Sequence, residues 1–282
     1  MKLKGFLVVN AFLNSNKFNE IYDWLKKAAY KRDIDLDVFN NGEIIPEGYD
    51  FGLFWDKDIP LAKSLEKRGI RLFNSAEAIR ICDDKYVTYD ILSDSEIAMP
   101  LTKAVPMTYE NIGFTNFDFV DGLMSDFEYP VVIKECHGSF GAQVYLADNR
   151  DAACRVLSEI GGRPAIFQEY IAECSGNDIR INMVGNKAVC AMERYNDHDF
   201  RANVTNGGSM RPHEVTGDEL ELALRVMEKL GLDFAGVDIL LSDKGPLLCE
   251  VNSNAHFKNI FDCTGVNVAD CIMDYIIEEL KK

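Results

Sequence analysis

The sequence predicts a mixed α/β (α+β) protein, in which an N-terminal parallel α/β domain precedes two α+β subdomains. Three observations support this fold class. Strand and helix patterns alternate over residues 1–80, this alternation gives way to a proline-containing segment near Pro100, and strand–turn–strand patterns recur in the last third. Alternation of strands and helices is typical of a parallel sheet, whereas hairpins require antiparallel pairs. The predicted boundaries are residues 1–95, 96–167 and 168–282.

In the first domain, buried strands alternate with amphipathic helices. The strands are predicted at "LKGFLVV", "IDLDVF", "YDFGLFW" and "IRLFN". Helical spacing appears in "PLAKSLEKRG", which ends at Gly69, and in "NEIYDWLKKAAYKR", whose apolar face comprises Ile21, Trp24, Leu25 and Ala28. The dinucleotide-binding pattern Gly-x-Gly-x-x-Gly is absent from the sequence, so this sheet carries no direct dinucleotide signal.

The remaining two units combine hairpins with single helices. "YPVVIKECHGSFGAQVYLA", "DAACRVLSEIGG" and "PAIFQEYI" predict the central unit, and "DIRINMVGNKAVCAMERY" predicts a hairpin that turns at Gly185 and Asn186. A capping box from Thr216 to Glu219 begins the next helix, which ends at Gly231. "AGVDILLS" and "PLLCEVN" form a second predicted hairpin, and "VADCIMDYIIEEL" a final helix.

Composition excludes several classes of function. The net charge of −16 argues against nucleic acid as a partner, although a local basic pocket can still hold a small anion. Eight cysteines without a Cys-x-x-Cys pair and four scattered histidines give no zinc signal and predict reduced thiols in the cytoplasm. The apolar run near the start is too short for a signal peptide, and no run approaches a membrane span, so we expect no membrane association.

The second hairpin brings acidic side chains together. If Leu241 pairs with Leu247 across the turn, Asp238 lies opposite Glu250. Asn252 lies two residues further along and therefore projects from the same face as Glu250. Two carboxylates and an amide oxygen suit Mg²⁺ or Mn²⁺. The alternative is that both acids face solvent, or that they share a proton.

A second group of residues suits phosphate. Lys134 ends an apolar strand, and Gly138 and Gly141 in the following loop allow backbone N–H groups to approach phosphate oxygens. A plain hairpin turn and a lysine that protects a sheet edge are the alternatives. Four further basic residues lie within apolar or strand segments, where their charge needs either an anionic ligand or an internal salt bridge. They are Lys85, Arg180, Arg194 and Arg201.

The order of these motifs resembles one family. Lys85 and Lys134 are followed by "FQEYI", "NDIRINMVGNKAV", "MERY", "DFRANVTNGGS" and "AGVDILLSDKGPLLCEVNSN". From about Cys82 to the end, this set resembles the ATP-grasp superfamily, specifically the RimK-type carboxylate–amine ligases. The resemblance implies an ATP-grasp fold, in which the two α+β subdomains clamp ATP.

The resemblance also implies roles for individual residues. Arg194 and Arg201 would stabilise the oxyanion of the reaction. Mg²⁺ (or Mn²⁺) would bind Asp238, Glu250 and Asn252, the same residues that the hairpin argument selects. The implied nucleotide contacts are Lys85 and Lys134 for phosphate and adenine, Gly138, Ser139 and Gly141 in the loop His137–Gly141 over the phosphates, Gln168, Glu169, Tyr170 and Ile171 at the adenine hinge, Asp178 for ribose, and Arg201 and Asn203 for the terminal phosphate.

The implied reaction joins a carboxylate to an amine through an acyl phosphate, with glutamate or another acidic amino acid, peptide or protein carboxylate as the substrate, in a homodimer or homotetramer. A non-catalytic nucleotide-binding protein and a small-molecule kinase are the alternatives. The sequence departs from RimK-type glutamate ligases after Asn252, where "SNAHFKN" replaces "ASPG". "FKN" is more similar to ligases that act on an amino-group carrier protein. His256 and Lys258 are expected either to bind an acidic substrate group or to be solvated loop residues.

Overall fold

Three β-sheets organise the computed structural model, which describes residues 2–139 and 141–282. The first sheet is fully parallel, with the order β2-β1-β3-β4. Its strands are β1 (Lys4–Val9), β2 (Asp35–Asn40), β3 (Phe51–Phe54) and β4 (Leu72–Phe73). The parallel sheet predicted for the N-terminal part is therefore confirmed.

Four helices accompany this sheet. They are α1 (Asn16–Tyr30), α2 (Ile59–Lys67), α3 (Ala76–Asp83) and α4 (Lys85–Ser93). Helix α1 buries Ile21, Leu25 and Ala28, as its spacing predicts. Asp84 separates α3 from α4, and its side chain accepts hydrogen bonds from two backbone N–H groups of α4. This cap fixes Lys85 as the first residue of a helix.

The second sheet is antiparallel, with the order β5-β8-β6-β7. Its elements are β5 (Thr102–Ala104), α5 (Phe119–Leu123), β6 (Val131–Glu135), β7 (Val144–Ala147), α6 (Arg150–Ile160) and β8 (Ala165–Glu169). Val131 and Phe167 of the sheet pack with Leu157 of α6 in a core of their own. Strand β8 runs two residues beyond the predicted limit at residue 167, and the three domain limits stay a prediction.

The third sheet is also antiparallel, with the order β11-β10-β9-β12-β13. Its elements are β9 (Asn177–Val184), β10 (Lys187–Tyr195), β11 (Ser209–Pro212), α7 (Gly217–Leu230), β12 (Phe234–Ser242), β13 (Gly245–Asn252), α8 (Lys258–Thr264) and α9 (Val268–Glu279). The predicted capping box begins α7, and Gly231 ends it with a φ of 62°. Among the described residues, no helix has the length and apolar character needed to cross a bilayer.

The first and third sheets share one hydrophobic core. Leu7 and Trp55 of the N-terminal part pack in the same cluster as Phe234 and Phe257. The ring of Trp55 stacks on that of Phe234 at 5.6 Å between centroids. The strand ends beside this junction are therefore held in fixed positions relative to the third sheet.

Candidate active site

A cavity of about 560 Å³ opens among the three sheets. Its lining contains seven Lys and Arg residues against five Asp and Glu residues, so it is locally basic in a chain of charge −16. Every residue predicted for the site lines it. These residues are Lys85, Lys134, Gly138, Ser139, Gly141, Gln168, Glu169, Tyr170, Ile171, Asp178, Arg194, Arg201, Asn203, Asp238, Glu250 and Asn252.

The hairpin of β12 and β13 places Asp238 opposite Glu250, as predicted, but by a different register. The predicted pairing of Leu241 with Leu247 is wrong, because Leu241 lies opposite Pro246. The turn is shorter than expected, since Ser242 already pairs with Gly245. The pairing of β12 with β13 shifts by one residue between Asp238 and Ile239. This shift offsets the error in the predicted turn, so Asp238 still lies opposite Glu250.

Two arginines and two aspartates form a largely buried group with no net formal charge, which we call the ion cluster (Asp178, Arg180, Arg194 and Asp238). Asp178 and Arg180 lie on the same face of β9, because alternate residues of a strand point the same way. Arg194 of β10 lies opposite Asp178. Asp238 of β12 lies opposite Arg180. Neighbouring strands thus pair each charge with its opposite.

The contacts within the ion cluster are short and bidentate. Nε and Nη2 of Arg194 donate to the two oxygens of Asp178, both at 2.6 Å. Nε and Nη2 of Arg180 donate to those of Asp238 at 2.6 and 2.5 Å. Arg194 also lies 3.1 Å from Asp238, and 4% of its surface is exposed. Its charge is therefore compensated inside the protein, and a direct role on an oxyanion stays a prediction.

Burial and pairing act differently on the two aspartates of the ion cluster. Burial raises the pKa of Asp178 above its ordinary value, although Arg194 opposes this change. Burial alone would also raise the pKa of Asp238, but the guanidinium groups of Arg180 and Arg194 outweigh it and lower that pKa. Asp238 therefore stays ionised next to Glu250.

Two lysines approach the acidic end of the cavity from different elements. Lys134 of β6 is 7% exposed, and its Nζ lies 3.8 Å from Sγ of Cys249. Nζ of Lys85 lies 3.7 Å from Oε1 of Glu250 and 3.5 Å from the main-chain oxygen of Gly138. Lysine ammonium groups held in a pocket suit the oxygens of a polyphosphate.

The glycine loop is held by two polar side chains. The N–H of Ser139 donates to Oε1 of Gln143 at 3.3 Å, and a Cβ on Gly138 would lie 2.5 Å from that oxygen. Nη1 of Arg201 donates to the main-chain oxygen of Gly141 at 2.9 Å. The rest of the guanidinium contacts Asp199. Arg201 thus joins this loop to the loop after β10; Phe140, within the predicted phosphate loop, lies outside the described residues.

The predicted adenine hinge lies where the chain passes from the second sheet to the third. Strand β8 ends at Glu169, whose Oε2 accepts a hydrogen bond from the N–H of Leu101 at 3.1 Å. The amide of Gln168 donates to Oγ1 of Thr102 at 3.0 Å and is buried. The ring of Tyr170 lies edge-on to that of Phe200. Gln168 therefore anchors the strand, and contacts of these residues with adenine stay a prediction.

The side chains of Asp238, Glu250 and Asn252 offer oxygen atoms of the kind that bind a divalent cation. No cluster of three or more His, Cys, Asp and Glu side chains in the described part of the chain could hold a metal. Asp238 has little capacity left, because three arginine nitrogens already contact its oxygens. Glu250 has just the distant contact with Lys85 among the described residues. Nδ2 of Asn252 is buried without a partner, and rotation of the amide would place an oxygen there. Glu250 and Asn252 thus fit a cation, with Asp238 able to add one oxygen contact.

Sequence reasoning missed the residues that the N-terminal part of the chain contributes to the cavity. Asn10, Tyr22, Asp56 and Lys57 line it together with Asn254 of the loop after β13. The available signal was "FWDKD", in which the acid Asp56 follows the buried strand β3 after a single residue. Ligands of open parallel sheets bind at such carboxyl ends of strands.

His256 and Lys258, which the sequence predicts either to bind an acidic substrate group or to be solvated, differ in position. His256 lines the cavity, and its Nε2 donates to the main-chain oxygen of Lys17 at 3.0 Å. Burial lowers the pKa of His256. The ammonium of Lys258 contacts both carboxylate oxygens of Asp262. His256 therefore lies in the cavity wall with a lowered pKa, and its contact with a substrate stays a prediction, whereas Lys258 is engaged within α8.

Comparisons with known proteins agree on one family. The sequence model of the RimK-like ATP-grasp domain matches residues 82–276. A protein of Shewanella amazonensis named probable alpha-L-glutamate ligase 2 is 37% identical over 279 residues, which cover 95% of this chain and 84% of that protein. A protein of Mycoplasma pneumoniae, named uncharacterized protein MG012 homolog, is 32% identical over 86% of this chain and 88% of its own length.

Solved structures agree on the fold. The RimK domain protein ATP-grasp of Sphaerobacter thermophilus superposes with a TM-score of 0.73 at 19% identity, and the match covers 96% of this chain and 98% of that one. At this identity the likeness concerns the fold. The predicted ATP-grasp architecture is thereby confirmed.

Proposed function

The chain belongs to the RimK-like ATP-grasp family and is an ATP-dependent carboxylate–amine ligase, and we propose that it joins the amino group of glutamate, or of another acidic amino acid, to a carboxylate. The carboxylate belongs to a small molecule, a peptide or a protein. The relatives named probable alpha-L-glutamate ligases support glutamate as the amino acid.

One observation carries the proposal. The cavity combines cations suited to phosphate with a carboxylate that has spare coordination capacity. Lys85 lies between these two parts, 3.5 Å from the glycine loop and 3.7 Å from Glu250. A triphosphate in this position would have its terminal group beside Glu250 and Asn252, where a divalent cation would compensate its charge.

The chemistry follows from charge. A carboxylate oxygen attacks the γ-phosphorus of ATP, the bond to the bridging oxygen breaks, and ADP leaves. Once its ammonium group has released one proton to solvent, the amine nitrogen attacks the acyl carbon, the bond from that carbon to the phosphate oxygen breaks, and the departing phosphate takes up the second proton that the nitrogen loses. Lys85, Lys134 and Arg201 neutralise negative charge that develops on the phosphoryl group. The glycine loop covers the site and excludes the water that would hydrolyse the acyl phosphate.

The test uses substrates with separate roles. An N-acetylated glutamyl dipeptide has no free amine and serves as carboxylate substrate, while L-glutamate serves as amine. With ATP and Mg²⁺ we expect ADP, phosphate and a product heavier by one glutamyl residue, measured by mass spectrometry. Hydroxylamine in place of the amine should trap the acyl phosphate as a hydroxamate. No turnover across amino acids and glutamyl peptides contradicts the proposal.

A variant of the proposed metal ligand supplies the matched control. Glu250→Gln keeps the size of the side chain and removes its charge, so we expect a loss of turnover of at least about 100-fold with the fold retained. Full activity in this variant would remove Glu250 from the proposed site. A phosphorylated product that persists without amine would indicate a kinase instead. Nucleotide binding without ADP release would indicate a non-catalytic protein.

A further inference from the structure

Unpartnered polar atoms concentrate in one part of the cavity wall. Among the described residues, five buried side-chain nitrogen or oxygen atoms have no hydrogen-bond partner. Three of them belong to residues that line the cavity, namely Asp56, Asn252 and Asn254. Buried polar atoms in proteins are nearly always paired, so a concentration beside a cavity indicates a bound group. Asn252 is already accounted for by the proposed cation, which leaves Asp56 and Asn254.

Asp56 is held in place through one oxygen and leaves the other unused. Its Oδ1 accepts hydrogen bonds from Nδ2 of Asn10 at 3.0 Å and from the N–H of Lys57 at 2.7 Å. Its Oδ2 has no partner, and 6% of the residue is exposed. The ammonium of Lys57 is taken by Asp83. A buried carboxylate oxygen of this kind accepts hydrogen bonds and favours a cation.

Asn254 adds a second acceptor whose orientation is fixed. Its Nδ2 donates to the main-chain oxygen of Asp56 at 2.9 Å. A carbonyl oxygen only accepts hydrogen bonds, so the nitrogen of the amide must face Asp56. The unpartnered atom of Asn254 is therefore its oxygen, Oδ1.

We propose that Asp56 and Asn254 form the subsite for the ammonium group of the amine substrate, the Asp56–Asn254 subsite. Two acceptors and a negative charge match a group with three N–H donors and a positive charge. The inference rests on the proposed function, in which one substrate is an amino acid. It assigns the amine substrate to the side of the cavity formed by the first sheet and the loop after β13.

Binding of two ligands that differ in one group tests the subsite directly. L-glutamate and L-2-hydroxyglutarate share both carboxylates, but the second carries a hydroxyl in place of the ammonium. By calorimetry with MgADP present, we expect the protein to prefer L-glutamate by at least about tenfold. Asp56→Asn should remove this preference and leave hydroxyglutarate binding unchanged. A wild-type protein without the preference, or a variant that weakens both ligands equally, overturns the assignment.

Kinetics separate this inference from the proposed function. Asp56→Asn should raise KM for L-glutamate at least about tenfold, while hydroxamate formation, which needs no ammonium, stays within about twofold. Asn254→Ala should act in the same direction with a smaller effect. Asp35→Asn, the same change at an exposed residue of β2, serves as control and should alter neither reaction.

Equal loss of amide and hydroxamate formation in Asp56→Asn overturns the subsite. Absence of hydroxamate from the wild type contradicts the proposed function, whereas the calorimetry still decides on the subsite.

Discussion

The ion cluster and the Asp56–Asn254 subsite line the same cavity, but they differ in whether the oxygens of their aspartates have partners within the protein. In the ion cluster, Asp178 and Asp238 have arginine partners on both oxygens. In the subsite, Asp56 uses one oxygen internally and leaves the other unpartnered. A network that is satisfied internally gains rigidity, whereas an unsatisfied one carries a cost that a ligand can relieve. The comparison thus separates supporting residues from residues that await a substrate.

The largest expected effect on folding lies in the ion cluster. Arg194→Met would leave the carboxylates of Asp178 and Asp238, which repel each other, with a single arginine of the cluster, so we expect the free energy of unfolding to fall by about 3–5 kcal/mol. Urea unfolding monitored by circular dichroism measures the change. A loss below about 1 kcal/mol would mean that the cluster is not the supporting element that its contacts indicate.

A surface arginine provides the matched control. Arg225 of α7 forms ion pairs with Glu221 and Glu96, and 44% of its side chain is exposed. Arg225→Met removes the same charge from a solvated pair, for which the expected change is below about 1 kcal/mol. An equally large loss in both variants would attribute the effect to the side-chain exchange and not to burial.

The same comparison explains what the sequence could predict. Asp238 and Glu250 were matched correctly because hairpin partners are close in sequence, and the wrong turn was compensated by the irregularity in the pairing. The pairing of Arg180 with Asp238 joins β9 to β12 across 58 residues, and local patterns carry no information about such a register. Asp56 was missed because its place in the cavity wall depends on how the third sheet packs against the first, through a shared core that joins distant parts of the sequence.

Asp233 shows that an unpartnered carboxylate oxygen does not always mark a ligand site, because this buried acid lies outside the cavity. Asp233 also has an unpartnered oxygen, yet Oδ1 contacts Arg71 at 2.6 Å and Tyr275 at 3.1 Å. Burial raises the pKa of Asp233 to about 6 from an ordinary value of 3.8, although Arg71 opposes this. The folded state therefore binds a proton that the unfolded state has released, and the stability that Asp233 contributes is lost as the pH rises from about 4 to about 6.

Asp233→Asn tests this explanation. The variant carries no charge, so its free energy of unfolding relative to the wild type should rise by about 2 kcal/mol between pH 4 and pH 7. Chemical unfolding at several pH values measures the trend. Asp243→Asn, a change of the same kind at the exposed turn between β12 and β13, controls for the general effect of charge. A difference that does not vary with pH would contradict the raised pKa.

The smallest expected effect on folding belongs to Glu250, because its carboxylate makes just one contact among the described residues, at 3.7 Å from Lys85. Glu250→Gln should change the free energy of unfolding by less than about 1 kcal/mol. MgADP should raise the melting temperature of the wild type, since a ligand that binds the folded state stabilises it. We expect this increase to be smaller in the variant, and removal of Mg²⁺ with a chelator should make the two proteins alike. A variant that is strongly destabilised without ligand would place Glu250 with the ion cluster, as a residue that supports the fold and not one that awaits a cation.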